Sequence, residues 1–261
     1  MELDDAYANG AYIQGADKYP PRWAASAEDF RNSLHDRARL DIPYGESPRQ
    51  RFDLFMPEGA PKGLFIFVHG GYWLAFDKSS WSHLARGAMA HGWAVAMPSY
   101  DLCPEVRIAD ITRQITTAVT RIAEEVEGPI ALAGHSAGGH LVARMLDTAL
   151  VPASVGERIK TVIPISPLAD LRPLLRTTMN QKFKMDSAAA IAESPVEMTS
   201  RYPAEVTVWV GGEERPAFLD QAIWLVEAWD AAHVIAFGKH HFNVIDPLAD
   251  PESDLVALIV N

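Results

Sequence analysis

The strongest chemical signal in the sequence is a serine between two glycines. The motif G-H-S-A-G occupies residues 134–138, directly after the apolar run 130–133 and before residues at helical spacing. A strand, a sharp turn and a helix in this order are typical of a nucleophile elbow, whose strained turn exposes the serine hydroxyl. The glycines let neighbouring backbone pass close by, and the helix start presents free N–H groups. We therefore predict that Ser136 is a nucleophile.

A second glycine motif is predicted to stabilise the negative charge that develops on a substrate carbonyl oxygen. The motif H-G-G-Y-W at residues 69–73 follows the apolar run 64–68, where folds with such an elbow supply a second oxyanion donor. Glycine allows a backbone N–H to approach the substrate. We expect Gly71 and Tyr72 to donate, with Ala137 completing the oxyanion hole. A plain glycine turn is the alternative.

A serine hydroxyl needs a base, and the base needs an acid that orients it. In this architecture the acid and then the base follow the serine along the chain. The motif G-G-E-E-R-P follows an apolar run that ends at residue 210, so the acid is Glu213 or Glu214. The motif G-K-H-H-F follows the last apolar run, so the base is His240 or His241. The residues alone leave both choices open.

Two aromatic side chains beside the glycine loop are predicted to bind substrate. Tyr72 and Trp73 adjoin the expected oxyanion donors, and ligand pockets are mostly apolar with a few polar groups. Packing of the loop is the alternative interpretation.

The remaining reactive side chains favour no other chemistry. The other histidines are scattered without the spacing of a metal site, so no metal is expected. A single cysteine, Cys103, excludes a disulfide within the chain and is interpreted as packing.

The elements that must position these residues alternate along the chain. Apolar runs of strand length and stretches of helical spacing follow one another from residue 64 onward, after a predicted antiparallel hairpin between residues 37 and 56. This order predicts an α/β fold with a mostly parallel sheet flanked by helices. We interpret residues 1–261 as a single domain, with 1–35 as an N-terminal arm. Residues 168–202 contain no strand pattern and are predicted to form a small lid.

Composition excludes several classes of partner. The net charge is −11, which argues against nucleic-acid binding because phosphate contacts need clustered lysine and arginine. The acidic start MELDD does not fit a signal peptide, and no apolar run is long enough to span a bilayer. A cytoplasmic protein without membrane partners is therefore expected. The oligomeric state stays open, with a homodimer as one alternative.

Taken together, these motifs resemble the hormone-sensitive-lipase-like esterases of the α/β-hydrolase superfamily, and most closely the kynurenine formamidase (arylformamidase) branch. The resemblance rests on H-G-G-Y-W with the following Asp77-Lys78, on Y-D-L-C-P-E at 100–105 and on G-H-S-A-G-G-H at 134–140. It covers most of the chain from about Tyr44 onward and is more specific for fold than for substrate.

The resemblance implies a choice between the open alternatives. In the formamidase pattern the acid precedes a proline by two residues and a phenylalanine by four, so Pro216 and Phe218 select Glu214. The base is followed by a phenylalanine, which selects His241. The acid of the formamidases is usually aspartate, whereas both candidates here are glutamates, so Glu213 remains an alternative.

The expected activity is hydrolysis of a small ester or amide through an acyl-enzyme, without cofactor or metal. A formamidase acting on an N-formylated aromatic amine is the first hypothesis, and a carboxylesterase or thioesterase for short acyl substrates is the alternative. A non-catalytic binding module with this fold is the remote third. Such a module would be expected to lack a member of the Ser–Glu–His set, and here the set is complete.

Overall fold

The computed structural model describes residues 1–261, and all its strands belong to one eight-stranded sheet with the order β1-β2-β4-β3-β5-β6-β7-β8. The strands are β1 (Ala38–Pro43), β2 (Arg51–Phe55), β3 (Leu64–Val68), β4 (Ala94–Pro98), β5 (Ile130–His135), β6 (Ile159–Ile165), β7 (Glu205–Gly211) and β8 (Ala232–Ala236). Only the β1–β2 and β2–β4 pairs are antiparallel. The predicted mostly parallel sheet with an antiparallel start is confirmed.

Nine α-helices connect and cover these strands. They are α1 (Tyr19–Leu34), α2 (Arg86–Ala90), α3 (Ile108–Ala123), α4 (Ala137–Arg144), α5 (Ala153–Gly156), α6 (Asn180–Phe183), α7 (Ser187–Glu193), α8 (Pro216–Trp229) and α9 (Asp254–Val260). In α3, the buried residues Ile108, Ile111, Ile115 and Ile122 recur at helical spacing and form one apolar face. None of the helices combines the length and apolar character that a membrane crossing requires.

Helices cover both faces of the sheet because successive side chains of a strand point to opposite sides. Along β3, Leu64 and Ile66 join a cluster of 45 buried residues with α3 and α8, whereas Phe65 and Phe67 join a cluster of 24 with α1 and α9. Strands β3, β4 and β5 are buried throughout, which explains their continuous apolar sequences. This packing fixes the carboxyl edge of the sheet, where the reactive residues follow β3, β5, β7 and β8.

The N-terminal arm and the strandless segment 168–202 pack against each other beside that edge. The backbone N–H of Leu3 donates to the carbonyl of Arg176 at 3.2 Å, and the N–H of Thr178 donates to Asp4 at 2.6 Å. Phe183, within the segment, is fully buried in the larger core cluster. The segment is therefore part of the body of the protein.

Candidate active site

Ser136 lies on the sharp turn between β5 and α4. Its backbone has φ 55° and ψ −115°, a left-handed conformation that is strained for any residue with a side chain. The turn can form because glycines flank it: a Cβ on Gly134 would lie 2.1 Å from the carbonyl oxygen of Gly138, and one on Gly138 would lie 2.0 Å from that of Val68. The motif thus adopts the elbow geometry that its sequence predicts.

A buried carboxylate–imidazole pair lies at the same edge of the sheet. Nδ1 of His241 donates to Oε2 of Glu214 at 2.8 Å, and the two residues are 5% and 7% exposed. Glu213, in contrast, is exposed, and only its backbone N–H is engaged, with Lys239. The turn after β7 therefore directs Glu214 inward and its neighbour outward.

His240 is occupied elsewhere. Its Nε2 is hydrogen-bonded to the hydroxyl of Tyr19 at 3.0 Å, and its Nδ1 accepts the backbone N–H of Phe242 at 3.1 Å. With both ring nitrogens engaged, it has no free nitrogen with which to take a proton from Ser136.

Ser166, which sequence reasoning missed, contacts the other carboxylate oxygen. It is fully buried directly after β6, and its hydroxyl donates to Oε1 of Glu214 at 2.6 Å. Ser166 also has a left-handed backbone, with φ 45°. The one available signal was its position after a parallel strand, at the edge where functional side chains gather.

The imidazole of His241 packs between two other rings. The centroid of Phe218 is 4.4 Å away and that of His135 is 4.6 Å away. Burial, with a smaller contribution from His241, holds the pKa of His135 well below its usual value, so His135 stays neutral. Ser136 and His241 line one cavity, although no hydrogen bond joins their side chains; such bonds are often long in enzymes without substrate.

The glycine loop after β3 turns tightly beside the elbow. Gly71, Tyr72 and Trp73 all have positive φ, and a Cβ on Gly71 would lie 2.5 Å from the carbonyl oxygen of Ala75. The N–H groups of Gly71 and Tyr72 donate to no backbone carbonyl. Ala137 is the first residue of α4, where backbone N–H groups have no partner within the helix. All three amides expected at the oxyanion hole are therefore free to bind a substrate oxygen.

These elements enclose a cavity of about 480 Å³. It is lined by residues 7–11, 70–72, 74–76 and 135–136 together with Trp23, Trp81, His241 and Phe242. The lining is mainly apolar and contains no aspartate, glutamate, lysine or arginine, so it suits an uncharged, largely apolar part of a substrate. A cleft of about 530 Å³ elsewhere contains none of these residues.

The aromatic wall differs from the expected one. Tyr72 lines the cavity, but the expectation that Trp73 does so is wrong: Trp73 is fully buried against His140 and Phe183, with ring centroids at 5.1 and 5.6 Å. The two consecutive left-handed residues of the loop place these neighbouring side chains in different surroundings. The wall is formed instead by Trp23, Phe76, Trp81 and Phe242, whose rings contact one another.

The cover of the cavity also comes from another part of the chain. Residues 168–202, expected to act as a lid, contribute nothing to the cavity lining, whereas residues 7–11 of the arm do. The physical reason is that the strandless segment 168–202 buries its apolar side chains in the core and contacts the arm from outside the cavity. A strandless segment of that length could not be distinguished from a lid by sequence.

Comparison with known proteins is consistent with this geometry. A family model described as the alpha/beta hydrolase fold matches residues 65–211. The kynurenine formamidase of Danio rerio is 28% identical over 92% of each chain, and that of Drosophila melanogaster is 29% identical over 84% of this chain and 80% of its own. The resemblance to the formamidase branch is thereby confirmed.

Solved structures agree on the fold. A "putative thioesterase" from Silicibacter sp. TM1040 is 78% identical, with a TM-score of 0.99 over the whole of both chains. Esterase B of Lactobacillus rhamnosis is 16% identical, with a TM-score of 0.69 over 94% of this chain and 92% of its own. The chain therefore belongs to the alpha/beta hydrolase fold family and is a hydrolase related to kynurenine formamidases.

Proposed function

We propose that the protein is a serine hydrolase in which Ser136, His241 and Glu214 act as a catalytic triad. The observation that carries the proposal is the buried Glu214–His241 hydrogen bond of 2.8 Å at the cavity that Ser136 lines. A carboxylate on Nδ1 fixes the tautomer in which Nε2 can accept a proton, and it stabilises the imidazolium that forms.

The reaction proceeds in two steps. His241 takes the proton of Ser136 as Oγ attacks the substrate carbonyl, and the backbone N–H groups of Gly71, Tyr72 and Ala137 bind the oxyanion. His241 then protonates the leaving group as its bond to the acyl carbon breaks. Water, deprotonated by the same histidine, attacks the acyl-enzyme, releases the acid and restores the serine. Apart from water and the substrate, these steps use only groups of the chain.

The substrate class follows from the cavity and the relatives. A volume of about 480 Å³ with an aromatic wall accommodates an aromatic group and a short acyl group. Two curated relatives that match most of this chain are kynurenine formamidases, so an aryl formamide is the first candidate substrate. The alternative is a short-chain ester or thioester, which the name of the Silicibacter relative favours.

A hydrolysis panel distinguishes these substrates. The purified chain is assayed with N-formylkynurenine, short p-nitrophenyl esters and short acyl thioesters, and Ser136→Ala serves as the matched control. We expect turnover with at least one substrate and none with the variant, because the triad acts as a unit. Labelling by a fluorophosphonate probe should likewise require Ser136. A variant with native turnover and labelling would refute the serine mechanism.

A further inference from the structure

Asn9, on the N-terminal arm, is the residue of the cavity lining whose side chain leaves both a donor and an acceptor without a partner, whereas Trp23, Trp81 and His135 each leave one ring nitrogen. It is 5% exposed, it lines the cavity with Ser136 and His241, and both atoms of its side-chain amide lack a hydrogen-bond partner. A buried amide without partners costs free energy of folding, because water satisfies it in the unfolded chain. Since both amide atoms are unpartnered, this observation does not depend on which one is oxygen.

The arm around Asn9 is held by specific contacts. Tyr7 precedes Asn9 by two residues, and its side-chain hydroxyl accepts a hydrogen bond from the amide of Gln221 at 3.0 Å. The backbone carbonyl of Tyr7 accepts another from the hydroxyl of Tyr72 at 2.7 Å. Asp5 forms an ion pair with Arg215 at 2.8 Å. Tyr72 belongs to the glycine loop, so these contacts hold Asn9 at a defined place relative to the elbow.

The other polar groups of the cavity lining restrict which ligand could pair with Asn9. Trp23 and Trp81 line the same cavity, and their indole N–H groups, which also lack partners, can only donate. Asn9 offers a donor and an acceptor together. An ionised ligand group would have no countercharge in this lining, and burying it would be costly.

We infer that Asn9 is a specificity-determining residue that binds an uncharged polar group, one that both donates and accepts hydrogen bonds, on an aromatic substrate. This inference rests on the proposed function of the cavity as the active site. A carboxamide is the simplest group with that hydrogen-bonding pattern, and the aromatic wall binds the ring that carries it. Binding of the substrate would then satisfy the amide of Asn9.

Binding of two small probes tests the inference directly. Benzamide carries an uncharged amide on an aromatic ring, and toluene carries a methyl group in its place. Their dissociation constants are measured by calorimetry on the full chain with Ser136→Ala, so that no ligand is turned over, and again after adding Asn9→Leu, which keeps the side-chain size. Gln14→Leu, which removes an amide at an exposed position on the same arm, is the matched control.

We expect benzamide to bind more tightly than toluene. Asn9→Leu should reduce the ratio of the two dissociation constants by roughly tenfold or more, because the amide of benzamide loses its buried hydrogen-bonding partner. The control should keep the preference. Asn9→Leu should also raise Tm by about 2 °C, because it removes an unpartnered buried amide. An unchanged preference, equal affinities without the mutation, or a lowered Tm would overturn the inference. Failure of the native chain to react with a fluorophosphonate would instead count against the proposed triad.

Discussion

The hydrogen bond from Ser166 to Glu214 makes a quantitative prediction about catalysis. Ser166→Ala removes a hydroxyl that lies 2.6 Å from Oε1 of the carboxylate, with no exposure to solvent and therefore no water to replace it. Hydrogen bonds to charged groups contribute about 1.5–3 kcal/mol. With about 1.36 kcal/mol for each factor of ten in rate, kcat should fall roughly tenfold to a hundredfold if all of this energy serves to orient Glu214.

KM should change little in this variant. Ser166 does not line the cavity and would act through Glu214, as a positioning residue. Steady-state kinetics on the best substrate of the panel separates the two parameters, and a purely structural defect would not confine its effect to kcat.

Ser166→Gly separates the hydroxyl from the backbone. Both variants lack the oxygen, but glycine adopts the φ of 45° without strain, so Ser166→Gly should be the more stable protein in urea unfolding. If the hydroxyl positions Glu214, the two variants should have similarly reduced kcat. Native kcat in Ser166→Gly, with a loss in Ser166→Ala alone, would show that the hydroxyl is not needed to position Glu214 and would refute the reasoning.

Three further predictions concern the acid, the acyl chain and pH. Glu214→Gln should lower kcat by orders of magnitude, whereas the matched Glu213→Gln at the exposed neighbour should have little effect; the reverse ranking would show that the other glutamate is the acid. Short acyl esters of aromatic alcohols should be cleaved at least tenfold faster than esters of eight or more carbons if misfit costs about 1–3 kcal/mol, and a rate maximum at long chains would contradict the compact cavity. Burial lowers the pKa of His69 to about 4 and that of His140 to about 3, from 6.5. The stability that these two buried, neutral histidines contribute is therefore fully present above pH 6.5. It is lost as the pH falls from 6.5 toward their pKa values in the folded protein, because in that range only the unfolded chain takes up protons on them. The urea midpoint should be lower at pH 4.5 than at pH 7.5, and a smaller difference in His140→Gln would identify one source.

Local motifs in the sequence determined the elbow, the glycine loop and the order of the reactive residues. The turn that carries Ser136 needs small residues only two positions away on either side, so a five-residue window contains its cause. The alternation of buried strands and amphipathic helices likewise predicted the parallel sheet, because each element is coded by a period of a few residues. The antiparallel hairpin at the start was predicted for the same reason.

Tertiary structure decided the rest, because it depends on where separate segments meet. The residues alone left Glu213 and Glu214 as alternatives and only the resemblance favoured Glu214; the turn after β7 is what directs this side chain to His241. Ser166 and Asn9 lie in no recognisable motif. Ser166 precedes Glu214 by 48 residues and Asn9 lies on the N-terminal arm, so each reaches the site only because its segment packs there. Side-chain direction and contacts between distant segments arise from packing of the whole chain, and a local sequence pattern does not contain that information.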